Sequence, residues 1–121
     1  MARVLIIDDE KLARLTVRKV LEREGHEIAE AANGETGIQM FRARPFDVVI
    51  TDIIMPEKEG VATIAELKRD YPAVRIIAMS GGGRTRNLDF LKLASQHGAD
   101  KVLAKPFSQE ALVEAVKAVL S

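Results

Sequence analysis

Short β-branched runs recur along this chain at residues 4–7, 26–31, 47–51, 74–79 and 100–104, and the stretches between them carry apolar residues at helical spacing. That alternation constrains the fold more tightly than any other feature. Val4-Leu5-Ile6-Ile7 has no polar face to turn toward water, so it reads as a strand covered on both sides. Val48-Val49-Ile50 and Val102-Leu103-Ala104 read the same way, whereas the run at 26–31 is a weaker strand. Strands separated by helices pair in parallel, because returning to the same end of a sheet takes a crossover long enough to hold a helix. The expected fold class is α/β: a doubly wound, five-stranded parallel sheet with five helices on its two faces.

The helical stretches carry their own start and stop signals. Ala13, Val17, Val20 and Leu21 share one face over residues 10–24, and Gly25 supplies the left-handed stop. Asn33-Gly34 turns into a helix with Ile38 and Phe41 inward, which ends near Arg44-Pro45. A loop through Pro56 precedes a helix over 59–70 that presents Gly60, Ile64 and Leu67, and Tyr71-Pro72 breaks it. Gly81-Gly82-Gly83 reads as a mobile connection, followed by a helix over 85–97 that buries Leu91 and Ala94 and stops at Gly98. Phe90 and Leu93 lie outside that inward face and read as either edge-of-core or partner-facing. Ser108 caps a last helix with Glu110 in its first turn and Leu112, Val116 and Val119 on its core face.

At 121 residues the expectation is one domain, 1–121, ending with its last helix and leaving no room for an attached effector. Lysine and arginine number 18 and aspartate and glutamate 18, so no overall charge draws the chain to nucleic acid or anionic membrane. No segment approaches the length of a membrane span, and the opening apolar run is too short for a signal peptide. Cysteine is absent, which excludes disulfides, thiolate metal sites and a cysteine nucleophile, and fits a cytoplasmic protein. His26 and His97 have no metal-ligand company and read as surface residues near helix ends.

The chemistry sits where the strands end. Asp8-Asp9-Glu10 follows the first run, Asp52 the third, Ser80 the fourth and Lys105 the fifth. Open parallel sheets place their sites at these carboxyl ends. Carboxylates converging there with a lysine opposite call for a divalent cation and an anion between them. An aspartate carboxylate can attack a phosphoryl group, and that transfer needs in-line positioning and charge neutralisation more than covalent help. Mg²⁺ suits the task, taking one or two carboxylates, water and phosphate oxygens. Each residue alone has a plainer reading. Asp8-Asp9 can complement a helix dipole, Asp52 and Lys105 can be solvated charge, and Ser80 a turn residue. The three glycines are followed by no Walker lysine pattern, and Arg84 and Arg86 read as solvated charge.

Taken together, Ile7-Asp8-Asp9-Glu10, Thr51-Asp52-Ile53-Ile54-Met55-Pro56 with Gly60 beyond, Met79-Ser80-Gly81 and Lys105-Pro106-Phe107 stand in the order found in response-regulator receiver domains. The whole chain resembles that family in its single-domain, chemotaxis-regulator-like form. The resemblance implies a flavodoxin-like sheet in order 2-1-3-4-5 and a cis Lys105–Pro106 bond. It implies that Asp52 accepts phosphate from the phosphohistidine of a sensor histidine kinase or phosphotransfer protein. By the same resemblance Asp9 binds Mg²⁺ directly, Asp8 largely through water, and Asp52 and the backbone carbonyl of Ile54 complete the metal set. Lys105 pairs with the phosphoryl group, and Ser80 reports its arrival. The implied protein is no enzyme beyond catalysing its own phosphorylation and slow dephosphorylation. It switches binding of a downstream protein target or relays phosphate, as a monomer or a weak phosphorylation-dependent dimer.

A kinase docking on the first helix around Arg14 and Leu15, with the loop holding Phe107, also follows from the family. The alternative is a small Mg²⁺-dependent aspartyl-phosphate phosphohydrolase. Against it, Ile54 stands where a general-acid aspartate would be needed, and no cap insertion encloses a substrate. Two departures from the family pattern stand out. Val102 replaces an aromatic residue whose rotation accompanies phosphorylation in many relatives, so the Gly81-Gly82-Gly83 loop and following helix are expected to carry the change. Ile54 and Gly82 offer no group to position hydrolytic water, so unusually fast self-dephosphorylation is not expected.

Overall fold

Strand β1 (Arg3–Ile7) lies inside the sheet, with a neighbouring strand on each side. Val4, Leu5, Ile6 and Ile7 are all fully buried, and they face two ways. Val4 and Ile6 enter one core and Leu5 and Ile7 the other, as the two-residue period of a strand dictates. The computed structural model describes residues 1–53, 59–80, 92 and 94–121, with the side chains of Glu59 and Ser80 excepted.

The other strands are β2 (Glu27–Ala31), β3 (Val48–Asp52), β4 (Arg75–Ser80) and β5 (Lys101–Ala104). All pair in parallel in the order β2-β1-β3-β4-β5. Helix α1 (Lys11–Arg23) and the C-terminal helix (Gln109–Leu120) share one core with Val48, Ile50, Ile77 and Met79 of the sheet. Helices α2 (Gly34–Ala43) and α3 (Glu59–Asp70) share the other with Val49, Ile76 and Ala78. This is the doubly wound arrangement expected from the alternation of runs, in the flavodoxin-like strand order that the family resemblance implies. Of the expected helix over 85–97, residues 92 and 94–96 are helical and Ala94 is buried. Leu91, Phe90, Leu93, Arg84, Arg86, the loop through Pro56 and the three glycines at 81–83 lie outside the described residues. Among the described residues, no helix is long and apolar enough to cross a membrane.

The helix boundaries have local causes. Asn33 Oδ1 accepts from the Thr36 amide at 2.8 Å, and Ser108 Oγ from the Ala111 amide at 2.9 Å. Gly25 (φ 90°) and Gly98 (φ 122°) close their helices in conformations a side chain would strain. Two expectations need correction. β5 does not read as a strand covered on both sides: Lys101, Val102 and Ala104 are exposed and Leu103 only half-buried. It is an edge strand, hydrogen-bonded to β4 alone, and its apolar run overstated its burial.

His26, expected at the surface, is instead half-buried, and its Nδ1 accepts the Ala2 amide at 3.1 Å. Burial, with help from the charged amino terminus, holds this imidazole below its ordinary value of 6.5. The folded state therefore prefers neutral His26, and the stability this provides is complete above pH 6.5 and lost as pH falls through the lowered value. Thermal melts at stepped pH should show this acid limb in the wild type and a flatter profile in His26→Gln, which keeps an acceptor but cannot protonate. Parallel profiles for the two proteins would refute the assignment.

Candidate functional site

Sheet register brings the site residues to one edge. Ile7 pairs with Thr51, Asp52 with Met79, and Ser80 with Ala104, so the residues just beyond β1 and β5 emerge beside the end of β3. One carboxylate oxygen from each of Asp8, Asp9 and Asp52 lies within 4.8 Å of the others. Asp8 is fully buried and Asp52 nearly so, while Asp9 is exposed. Lys105 reaches in from the end of β5, its Nζ 3.2 Å from Asp8 Oδ2 and 3.5 Å from Asp52 Oδ2. Burial pulls the Lys105 ammonium down, but Asp52 and then Asp8 outweigh it and raise its pKa above 10.5. The lysine is therefore firmly charged.

Among the described residues, Lys105 is the lysine that meets these three carboxylates, two of them withdrawn from water. Carboxylates crowded this closely repel unless a cation joins them. The donor set is all oxygen, which suits a hard cation such as Mg²⁺, and the exposed side at Asp9 leaves room for the water that Mg²⁺ retains. Asp8 also serves the helix: its Oδ1 accepts the Glu10 amide at 2.9 Å, while Glu10 itself makes no side-chain cap. The plain helix-terminus reading of the acidic pair is thus true of Asp8 without displacing the other.

Gly60 on α3 sets how closely that helix approaches the end of β3. A Cβ there would lie inside contact distance of Asp52 O and Ile53 Cα, and 3.0 Å from the Ile53 carbonyl carbon. A cleft of 440 Å³ lined by Asp8, Glu10, Val17, Lys105, Pro106 and Phe107 opens beside the carboxylates. A larger groove of 540 Å³ between α1 and the C-terminal helix, lined by Thr16, Lys19, Glu22 and Gln109, holds no cluster of three acidic side chains among the described residues. The smaller cleft is the better candidate. The Lys105–Pro106 bond is cis, as the family resemblance implies.

The remaining candidates fall as follows. Ser80 ends β4 beside Ala104, but its side chain lies outside the described residues, as do the Ile54 carbonyl and Gly82. Val102 is 38% exposed on β5. Arg14, expected to face a kinase, is turned inward: its Nε donates to Glu30 Oε1 at 2.9 Å and its NH1 to the Asp8 carbonyl at 2.7 Å. Leu12 and Leu15 are the apolar residues that α1 exposes. Sequence reasoning missed Glu30, because nothing in a weak strand marks a carboxylate as the partner of an arginine one helix away.

Comparison with known proteins fits this geometry. Residues 4–117 match the response regulator receiver domain family. The chain is 33% identical over 121 residues to the chemotaxis protein CheY of Bacillus subtilis, covering 98% of each. It superposes on a response regulator receiver domain protein from Clostridium thermocellum with TM-score 0.89 at 32% identity, covering 99% of this chain and 94% of that one. It also superposes on NtrX from Brucella abortus with TM-score 0.91 at 28% identity, where it spans 98% of this chain but 27% of the longer one. With four strand-end motifs in order and their side chains gathered at one sheet edge wherever they are described, the chain belongs to the response regulator receiver domains, the phosphorylation-dependent switches of two-component signalling.

Proposed function

We propose that Asp52 is the phospho-acceptor of a single receiver domain spanning residues 1–121. Asp8, Asp9, Asp52 and the Ile54 carbonyl would hold Mg²⁺, which when bound neutralises the equatorial phosphoryl oxygens. The carrying observation is the convergence of three carboxylates within 4.8 Å, with Lys105 bridging two of them. An Asp52 carboxylate oxygen attacks phosphorus. An O–P bond forms as the P–N bond to the donor imidazole breaks, and the imidazole leaves with the bonding pair and takes a proton. Lys105, already charged and within reach of Asp52, moves its pairing to the incoming phosphoryl oxygens. The Ser80 hydroxyl donates to another of those oxygens and carries the change outward.

Receiver domains interact with histidine kinases and with downstream targets. For this chain the donor would be a sensor histidine kinase or phosphotransfer protein. The acceptor of the signal would be a protein that binds the phosphorylated face. Helix α1 lines the cleft through Ala13, Thr16 and Val17, and the Leu12 and Leu15 that it exposes support that helix as the donor-facing surface.

The test is incubation with acetyl phosphate, followed by intact mass. One phosphoryl group should be gained in Mg²⁺ and none in EDTA, and peptide mapping should place it on Asp52. A gain elsewhere, or one independent of Mg²⁺, would refute the assignment. Generic phosphate esters should not be turned over, since the phosphohydrolase alternative is not favoured by the family.

A further inference from the structure

We propose that Arg14 is a positioning residue for the metal site, held in place by Glu30 and acting through the backbone of Asp8. This rests on the reading of Asp8 as a metal ligand. Asp8 is the first residue beyond β1, where ladder pairing has stopped, yet its main chain is held on both sides. Its amide donates to the Ala31 carbonyl of β2 at 3.1 Å, and its carbonyl accepts Arg14 NH1 at 2.7 Å. A fully buried aspartate has no solvent to replace that second bond.

Arg14 is itself fixed. Its Nε donates to Glu30 Oε1 at 2.9 Å, and Arg18 NH1 holds the other oxygen of the same carboxylate at 2.7 Å. The Arg14 side chain is only 15% exposed and Glu30 21%, so the bridge is more shielded than a surface pair. The chain of contacts runs from β2 through α1 to the carbonyl of Asp8, whose side chain lies in the carboxylate cluster. Outer groups that orient a metal ligand typically contribute about 10–100-fold in metal affinity. Arg14 is placed to do so without touching ion or phosphate.

Mg²⁺ titration by calorimetry, paired with the Mg²⁺ dependence of phosphoryl gain from acetyl phosphate, tests this. Arg14→Gln should weaken Mg²⁺ binding about tenfold, with the phosphorylation rate at saturating Mg²⁺ little changed. Arg14→Lys should recover part of the affinity, and Glu30→Gln should lose several-fold. Arg42→Gln, which removes ion pairs from α2 to Glu66 and Asp70 of α3, should bind Mg²⁺ as wild type does. A merely structural role would lower the melting temperature of Arg14→Gln and leave its Mg²⁺ affinity unmoved, which overturns the proposal. If Arg14→Gln does not fold, unchanged affinity in Glu30→Gln overturns it equally. Failure of the wild type to bind Mg²⁺ would defeat the functional reading itself, and this inference with it.

Discussion

Asp52→Asn should abolish phosphoryl gain from acetyl phosphate and, in EDTA, melt higher than the wild type. The first effect follows from chemistry, because a carboxamide is no nucleophile toward phosphorus under these conditions. The second follows from the crowding of Asp8, Asp9 and Asp52, whose oxygens lie within 4.8 Å of one another with Lys105 as their close cation. Among the described residues, removing the charge at Asp52 relieves repulsion from Asp8 and Asp9 and weakens attraction to Lys105, and the asparagine keeps the side chain's shape. The expected gain is about 1 kcal/mol, of the size seen when functional strain is relieved. In a domain of this size that amounts to about 4 °C in melting temperature. Mg²⁺ should reverse the order, since it stabilises only the protein that binds it well. A variant that melts below wild type in EDTA would show that the cluster is not under electrostatic tension.

Gly60→Ala should be among the most damaging small substitutions in the chain. The added methyl would meet main-chain atoms of Asp52 and Ile53, which cannot rotate away as a flexible side chain can. Overpacking a close backbone approach costs roughly 3 kcal/mol or more, so the melting temperature should fall by on the order of 10 °C. Because α3 must move away from the end of β3, the Asp52 carboxylate should be displaced as well. Phosphoryl gain at 10 °C, where the variant remains folded, should then be slower than wild type. A urea midpoint within error of wild type would show that the helix shifts without cost. Gly37 offers an instructive contrast, since a Cβ there meets the ends of the Ile7 side chain, which can repack.

The fold was legible because the apolar runs of β1 and β3 are buried on both faces, and such runs have few alternatives. The weakness of the run at 26–31 was informative too: β2 is an edge strand whose Glu27 faces water. The same reasoning failed on β5, where three apolar residues in a row sit at the opposite edge. Burial depends on what lies alongside, which a run of residue types does not state. That Asp8, Asp9, Asp52 and Lys105 would lie together was legible because each closes a strand, and parallel strands deliver their ends to one place. Arg14 was misread. A charged residue on the outer turn of a helix looks available to a partner, and its engagement with Glu30 and Asp8 depends on tertiary placement alone. His26 was misread for the same reason, since its acceptor role needs the amide of Ala2, 24 residues away.

The division of the interior into two separate cores, one on each side of the sheet, has an evolutionary corollary. The clustered carboxylates hang from the ends of strands that both cores share, and interior strands are the part of a fold that opens last. The outward faces of the surrounding helices touch neither core, so their side chains can drift freely. A lineage descended from such a chain can therefore acquire new recognition surfaces while its phosphate chemistry stays constant, and duplicated copies can diverge in whom they talk to without relearning how they are switched.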